Sequence, residues 1–162
     1  MYIYDGDIIV YENHLEVFIL PRAEREIDIN ASVSKVFDIL DDAKSAVKWN
    51  LAVNEVAEFE PGKYSVKSNV GDFISIRTET LENEKISMKI EEGIFNAMGY
   101  ILSPKGDLTN VLIWGEFDDE KKEKILVKAA ELLLKSLKSY VEYLEEGGDP
   151  DEYDKKKILV SR

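Results

Sequence analysis

The spacing of apolar residues along the chain changes from strand-like to helix-like and back again. Three short runs of β-forming residues open the sequence and predict a small meander, with strands at 2–4, 8–11 and 15–20. A further strand is predicted over 24–30, where Ile27 and Ile29 fall on the same face. The N-terminal quarter of the chain is therefore expected to be mainly β-structure.

A pair of short helices is predicted next. Ser32 is a favourable N-cap for a helix over 33–40, in which apolar residues recur three and four positions apart. A second short helix is predicted over 43–49, ending at Trp49. Each helix is expected to bury one apolar face.

From residue 53 the apolar period becomes alternating, and Gly, Pro or Asn turn signals arrive at regular intervals. Six strands are predicted, at 53–60, 64–70, 73–81, 85–91, 94–102 and 108–117. Short connections make them antiparallel neighbours, and the strands over 64–70 and 85–91 each have one apolar and one wet face.

The strand over 73–81 allows two interpretations. Alternation favours Ile74 and Ile76 on the core side, with Arg77 and Glu79 facing water. In the alternative, Arg77 and Glu79 point inward, where they could orient a polar group of a ligand or act in acid–base catalysis.

One long amphipathic helix is predicted to cover the sheet, over 119–146. Its length of about 40 Å would cross six or seven strands. Its apolar stripe contains Leu126, Ala130, Leu133, Leu137, Val141 and Leu144. We expect truncation of either Leu133 or Leu137 to Ala to cost on the order of 2–5 kcal/mol. The small residues Ala129 and Ala130 are expected to leave enclosed space beneath the helix.

This order of elements resembles the START/Bet v 1-like helix-grip superfamily, also called SRPBCC, which includes polyketide cyclases. The resemblance covers residues 24–146 and is carried by the opening 27–37, Trp49, Trp114 and the helix segment 134–142. It implies an α+β fold in which a curved antiparallel sheet of six or seven strands wraps around one long C-terminal helix. A pleckstrin-homology-like barrel, the competing fold, leaves the helical pair over 33–49 unexplained.

The resemblance also implies a function. The expected activity is binding of a hydrophobic or amphipathic small molecule, lipid-like or polyketide-like, between the sheet and the long helix. Candidate ligand-binding residues are Phe37, Trp49, Ile76, Met88, Trp114, Ala130, Leu133, Leu137 and Tyr140. The alternatives are a polyketide-cyclase-like enzyme and a protein-interaction module with a filled core. No residue is assigned a catalytic role.

Composition and motifs narrow the chemistry. A formal charge of −12 disfavours nucleic acid and anionic membranes, and the absence of cysteine excludes disulfides and thiolate chemistry. His14 is the only histidine, so neither a Ser-His-Asp triad nor a multi-histidine metal site can form. No phosphate-binding glycine motif and no long apolar span is present. The expectation is a cytoplasmic protein without metal, cofactor or stable membrane insertion.

The two ends of the chain fall outside the resemblance. A single domain is expected over 1–146, with the meander at 1–20 as an addition and a tail at 147–162. The tail is interpreted as either a frayed end or an extra edge strand over 158–160. The strands over 94–102 and 111–117 are apolar on both faces, so the meander or a second subunit in a homodimer is expected to cover their outer face.

Overall fold

The computed structural model describes residues 2–4, 8–11 and 14–159, and within these the side chains of residues 20–159. Near the N-terminus, β1 (Tyr2–Tyr4), β2 (Ile8–Tyr11) and β3 (His14–Ile19) form a separate three-stranded antiparallel sheet. The predicted meander is thus confirmed.

The main sheet contains seven antiparallel strands in the order β4-β10-β9-β8-β7-β6-β5. Their bounds are β4 Arg22–Ile29, β5 Val53–Glu60, β6 Lys63–Ser68, β7 Phe73–Leu81, β8 Lys85–Glu91, β9 Ala97–Lys105 and β10 Leu108–Glu116. The first strand of this sheet pairs with the last, while each other strand pairs with its neighbour in sequence. The helical pair between β4 and β5 therefore connects the two edges of the sheet.

That pair consists of α1 (Val33–Asp41) and α2 (Ala46–Trp49), joined through a 3₁₀ turn at Ala43–Ser45. The Ser32 hydroxyl accepts a hydrogen bond from the Lys35 N–H at 3.3 Å, as expected of an N-cap.

The long helix α3 (Glu123–Glu145) follows a 3₁₀ turn at Glu120–Lys122. It buries one stripe against the sheet, including Leu126, Leu134, Leu137, Tyr140 and Val141. The helix-grip fold predicted from the sequence is confirmed: one curved antiparallel sheet, short helices after its first strand, and one long helix as cover.

The predicted bounds of β9 were wrong by three residues at each end. The strand begins at Ala97 and continues through Pro104, which pairs with Thr109 of β10. Pro104 is tolerated because β8 does not extend alongside it. The Leu102 N–H donates to the main-chain oxygen of Glu84, on the side of β9 that faces β8. The nitrogen of Pro104 faces the same side, where no residue of β8 lies opposite to accept a hydrogen bond.

The favoured interpretation of β7 was wrong for Ile74, Ile76 and Arg77, although Glu79 faces water as expected. Ser75 pairs with buried Ile90 and Arg77 pairs with Met88, so Ser75 and Arg77 point inward while Ile76 lies on the outer face. The register then shifts between Arg77 and Glu79. This bulge returns Glu79 to the solvent side, where its carboxylate pairs with Lys85 at 3.0 Å.

The tail ties back to the domain. The Tyr153 hydroxyl bonds the Ser139 hydroxyl at 2.9 Å, and its ring meets Tyr140 edge-on with centroids 5.0 Å apart. Residues Lys155–Leu159 then form a 3₁₀ helix, so the alternative of an edge strand is wrong for residues 158 and 159. Val160 lies outside the described residues.

Lys155 makes the main polar contact of this tail. Its Nζ donates to the main-chain oxygens of Val47, Asn50 and Val53 at 2.8, 2.9 and 2.6 Å. These carbonyls belong to the end of α2 and the start of β5, so the ammonium group fixes the connection between them. Burial, with a contribution from Lys156, lowers the pKa of Lys155.

We expect Lys155→Met to lower the free energy of unfolding by about 1.5–3 kcal/mol, since the variant keeps the apolar stem but removes charge-assisted hydrogen bonds. Urea denaturation measures this loss. Lys156→Met, an exposed neighbour, is the control and should change stability by less than about 0.5 kcal/mol. Equal stabilities of the two variants would contradict a structural role for the Lys155 contacts.

Candidate functional site

A cavity of about 540 Å³ lies between the inner face of the main sheet, the helical pair and α3. The space exists because the cover helix presents small residues, Ala129 and Ala130, where longer side chains would close the interior. Most of the wall is apolar, with Trp49, Val66, Met88, Ile90, Ala130 and Leu133 among its residues. Such a volume and lining are typical of small-molecule sites.

Eight of the nine predicted ligand-binding residues divide into three groups. Trp49, Met88, Ala130 and Leu133 line the cavity. A second group is buried in the packed core beside the cavity and does not line it, namely Phe37, Leu137 and Tyr140. Ile76 lies on the outer face of β7 for the reason given above.

Trp114 is the remaining member. It borders the cavity, but along β10 it alternates with the inward-facing Ile113 and Gly115. Its ring stacks against the Arg22 guanidinium, whose carbon lies 4.5 Å from the ring centroid. Gly99 pairs with Trp114 in the register, and a Cβ at Gly99 would lie only 2.8 Å from the indole. The ring therefore lies across β9 on the outer face of the sheet.

Two turns contribute cavity residues that the sequence reasoning missed. Val70 and Gly71 come from the β6–β7 turn, while Gly93, Ile94 and Phe95 come from the β8–β9 connection. Val70 and Ile94 are exposed as well as lining, so they lie at the opening of the cavity. An apolar residue beside a turn glycine was the available signal, because such turns are ordinarily polar.

Arg77 is the least exposed of the charged residues that line the cavity, with only 17% of its side chain exposed. Its Nη1 donates to the Asp41 carboxylate at 2.7 Å and to the Thr80 hydroxyl at 3.2 Å. Its Nη2 donates to the Asp41 main-chain oxygen at 3.2 Å. The residue that closes α1 therefore holds the guanidinium at the cavity wall.

Tyr100 projects from β9 into the same region. The residue is 7% exposed and lines the cavity. Burial raises the pKa of its hydroxyl well above the ordinary value, against an opposing effect of the Arg77 charge. The hydroxyl therefore stays protonated at neutral pH and is available as a donor.

Two further findings concern the described part of the chain. Within it, His, Cys, Asp and Glu side chains form no group of three or more that could hold a metal ion. Across the same residues, every helix is too short or too polar to cross a bilayer.

Comparison with known proteins supports the architecture. No protein-family model matches the chain, and no curated protein sequence matches it. A START superfamily protein from Mycobacterium smegmatis is similar in structure, with a TM-score of 0.68 at 18% identity over 76% of this chain and 98% of that one. The Aha1 dimer from Colwellia psychrerythraea gives a TM-score of 0.64 at 16% identity over 75% and 96%.

A third similar structure is DynU16, a putative protein in the dynemicin biosynthetic locus. Its TM-score is 0.64 at 13% identity, over 83% of this chain and 50% of that one. At such identities the likeness concerns the fold. The chain therefore has the START/Bet v 1-like fold that was predicted from its sequence.

Proposed function

We propose that this protein binds a hydrophobic or amphipathic small molecule in the cavity between the main sheet and α3. The observation that carries the proposal is the cavity itself, about 540 Å³ with mainly apolar walls. An apolar cavity of this size is costly to leave hydrated, so an apolar ligand gains free energy by entering it. The START/Bet v 1-like fold supports a hydrophobic-ligand-binding role.

The open interior does not favour the alternative of an interaction module with a filled core. A packed interior would hold few voids larger than a water molecule. Here Leu133 is only half-buried although it lies on the apolar stripe of α3, and Ala130 beside it leaves the wall recessed. Leu133 and Ala130 therefore border the cavity and are not packed against a filled core.

The test is binding of N-phenylnaphthylamine, an apolar fluorescent probe, after native mass spectrometry has shown which ligands copurify and these have been extracted. We expect one-to-one binding. At a free concentration 100 times Kd, mass action adds about 2.7 kcal/mol of stability and raises Tm by roughly 5–10 °C. Absence of saturable binding to the delipidated protein would contradict the proposal.

Tryptophan fluorescence gives a second measurement with an internal control. Trp49 lines the cavity, whereas the Trp114 ring lies on the outer face of the sheet under Arg22. With decanoate, a ligand that does not absorb tryptophan emission, the fluorescence change on binding should therefore be larger in Trp114→Phe than in Trp49→Phe. The reverse result would indicate that the ligand binds on the outer face of the sheet.

An enzyme that folds and cyclises a reactive substrate, as in polyketide cyclases, is the second candidate. It is favoured by the location of Arg77 and Tyr100 on the same inner face, because polar groups at fixed positions can orient a reactive intermediate. Glu79, its proposed acid–base partner, is on the opposite side of β7. Turnover of a linear polyketide by the purified protein would distinguish the enzyme from the carrier.

The proposal also includes that the protein forms a homodimer. Ile101 is exposed on the outer face of β9 and is paired with Leu112 of β10. A second copy could cover these apolar side chains. Light scattering coupled to size-exclusion chromatography tests this, with Ile101→Lys expected to give a monomer if the surface is an interface.

A further inference from the structure

We propose that the Tyr100 and Arg77 end of the cavity recognises a neutral carbonyl oxygen, so that the ligand is an apolar molecule bearing a ketone, ester or lactone group. This inference rests on the proposed function, because it specifies the ligand of the same cavity. It is carried by unused hydrogen-bond donors in a mainly apolar wall.

The first donor is the Tyr100 hydroxyl. Within the described residues it makes no hydrogen bond to protein, although only 7% of the residue is exposed to solvent. Among those residues no fully buried side-chain oxygen or nitrogen lacks a partner, so the Tyr100 oxygen must touch open space. The cavity that Tyr100 lines is that space. In the unliganded cavity this hydroxyl can bond only to water, and the acceptor of a ligand would replace that water.

The second donor is Arg77. A guanidinium carries five N–H groups, of which two on Nη1 and one on Nη2 are directed to Asp41 and Thr80. The Nε–H and one Nη2–H have no acceptor among the described residues. Because the side chain lines the cavity, these groups are available to the same ligand as Tyr100.

The charges near this end favour a neutral acceptor over a carboxylate. The Asp41 carboxylate already pairs with Arg77 at 2.7 Å, and Asp42 lines the cavity beside it. A carboxylate would therefore join two existing acidic groups around one guanidinium, in a chain of net charge −12. Like charges repel, although the exposure of Asp41 and Asp42 to water screens this repulsion, whereas a carbonyl oxygen accepts hydrogen bonds without adding charge.

The remainder of the wall is suited to the body of such a molecule. Met88 pairs with Arg77 across the sheet, and Met98 pairs with Met88 on the next strand. Both methionines line the cavity, and methionine adapts its shape to irregular apolar ligands. The predicted arrangement is one polar end and an adaptable apolar chamber.

The experiment compares two fluorescent probes on the wild type and Tyr100→Phe. Prodan is a neutral naphthyl ketone whose emission moves to longer wavelength when its carbonyl accepts a hydrogen bond, and N-phenylnaphthylamine has no carbonyl. We expect Tyr100→Phe to weaken prodan binding about 5- to 10-fold, to shift bound prodan to shorter wavelength, and to leave N-phenylnaphthylamine unchanged. Tyr64→Phe is the matched control, since Tyr64 also lines the cavity but its hydroxyl interacts with Glu58.

The outcomes separate this proposal from the one it rests on. If the wild type binds neither probe, the proposed function fails and this inference with it. If both probes bind and Tyr100→Phe affects them equally or not at all, ligand binding stands and carbonyl recognition is overturned. Because the Tyr100 hydroxyl has no protein partner, Tyr100→Phe should be at least as stable as the wild type, and a lower Tm would also overturn the inference.

The neutrality of the head group has its own test. Methyl nonyl ketone and decanoate have similar apolar chains, and each can be titrated to displace N-phenylnaphthylamine. We expect the ketone to displace the probe at a lower concentration, with the advantage reduced in Arg77→Met. Stronger displacement by decanoate that is lost in Arg77→Met would identify an anionic head group and overturn the assignment.

Discussion

Replacement of Ala130 by Trp should reduce the affinity for N-phenylnaphthylamine by on the order of 100-fold or more while leaving the protein folded. Ala130 is half-buried on α3 and lines the cavity, so an indole at this position occupies the space that the ligand requires. The cavity provides room for the larger side chain, which limits the strain that overpacking would otherwise cause. Fluorescence titration measures the loss, and far-UV circular dichroism verifies the fold.

Ile125→Trp is the control for this variant. Ile125 lies on the same helix, is 68% exposed and does not line the cavity. A tryptophan there adds the same bulk and hydrophobicity outside the site, so affinity should stay within about twofold of the wild type. If Ala130→Trp bound the probe as well as Ile125→Trp does, the ligand site would have to lie elsewhere.

Elements with a strong local signal were predictable. Ser32 precedes a short apolar helix and is the N-cap found in the structure, and the turn signals after residue 53 identify six strands in their observed order. These features depend on neighbours in sequence, which a single chain displays. The long helix was predictable for the same reason, since its apolar stripe repeats over several turns.

The facing of β7 could not be predicted from hydrophobicity, because its inner face lines a cavity. Burial in a dry core would have favoured Ile74 and Ile76 inside. The structure instead turns Ser75 and Arg77 inward, where Asp41 from a different part of the chain neutralises the guanidinium. The inversion depends on a tertiary contact 36 positions away in sequence, and the alternating pattern contains no trace of it.

The same limit applies to the rim of the cavity and to the tail. Val70 and Ile94 belong to different turns, and only the curvature of the sheet brings both to one opening. Lys155 is one of three consecutive lysines, and the sequence does not indicate which of them would find main-chain acceptors at the end of α2. Such positions are identified by geometry and not by residue type.

Truncation of Leu137 to Ala should produce the largest loss of stability among the variants considered, on the order of 2–5 kcal/mol. Leu137 is 0% exposed and packs in the main core cluster with Phe37 and Tyr140. Removing its terminal carbons creates a void that these rings cannot fill. Urea denaturation with an unchanged m-value measures the effect as a change in stability alone.

Leu133 makes this measurement a test of the cavity. It lies one helical turn before Leu137 on the same stripe but borders existing open space, so its side chain has fewer packing partners to lose. We therefore expect Leu133→Ala to cost only about 1–2 kcal/mol, below the range expected from the sequence for either residue, and to enlarge the ligand site. Equal losses for the two variants would mean that Leu133 is packed as tightly as Leu137 in solution, and the space on which the proposed function depends would then be closed.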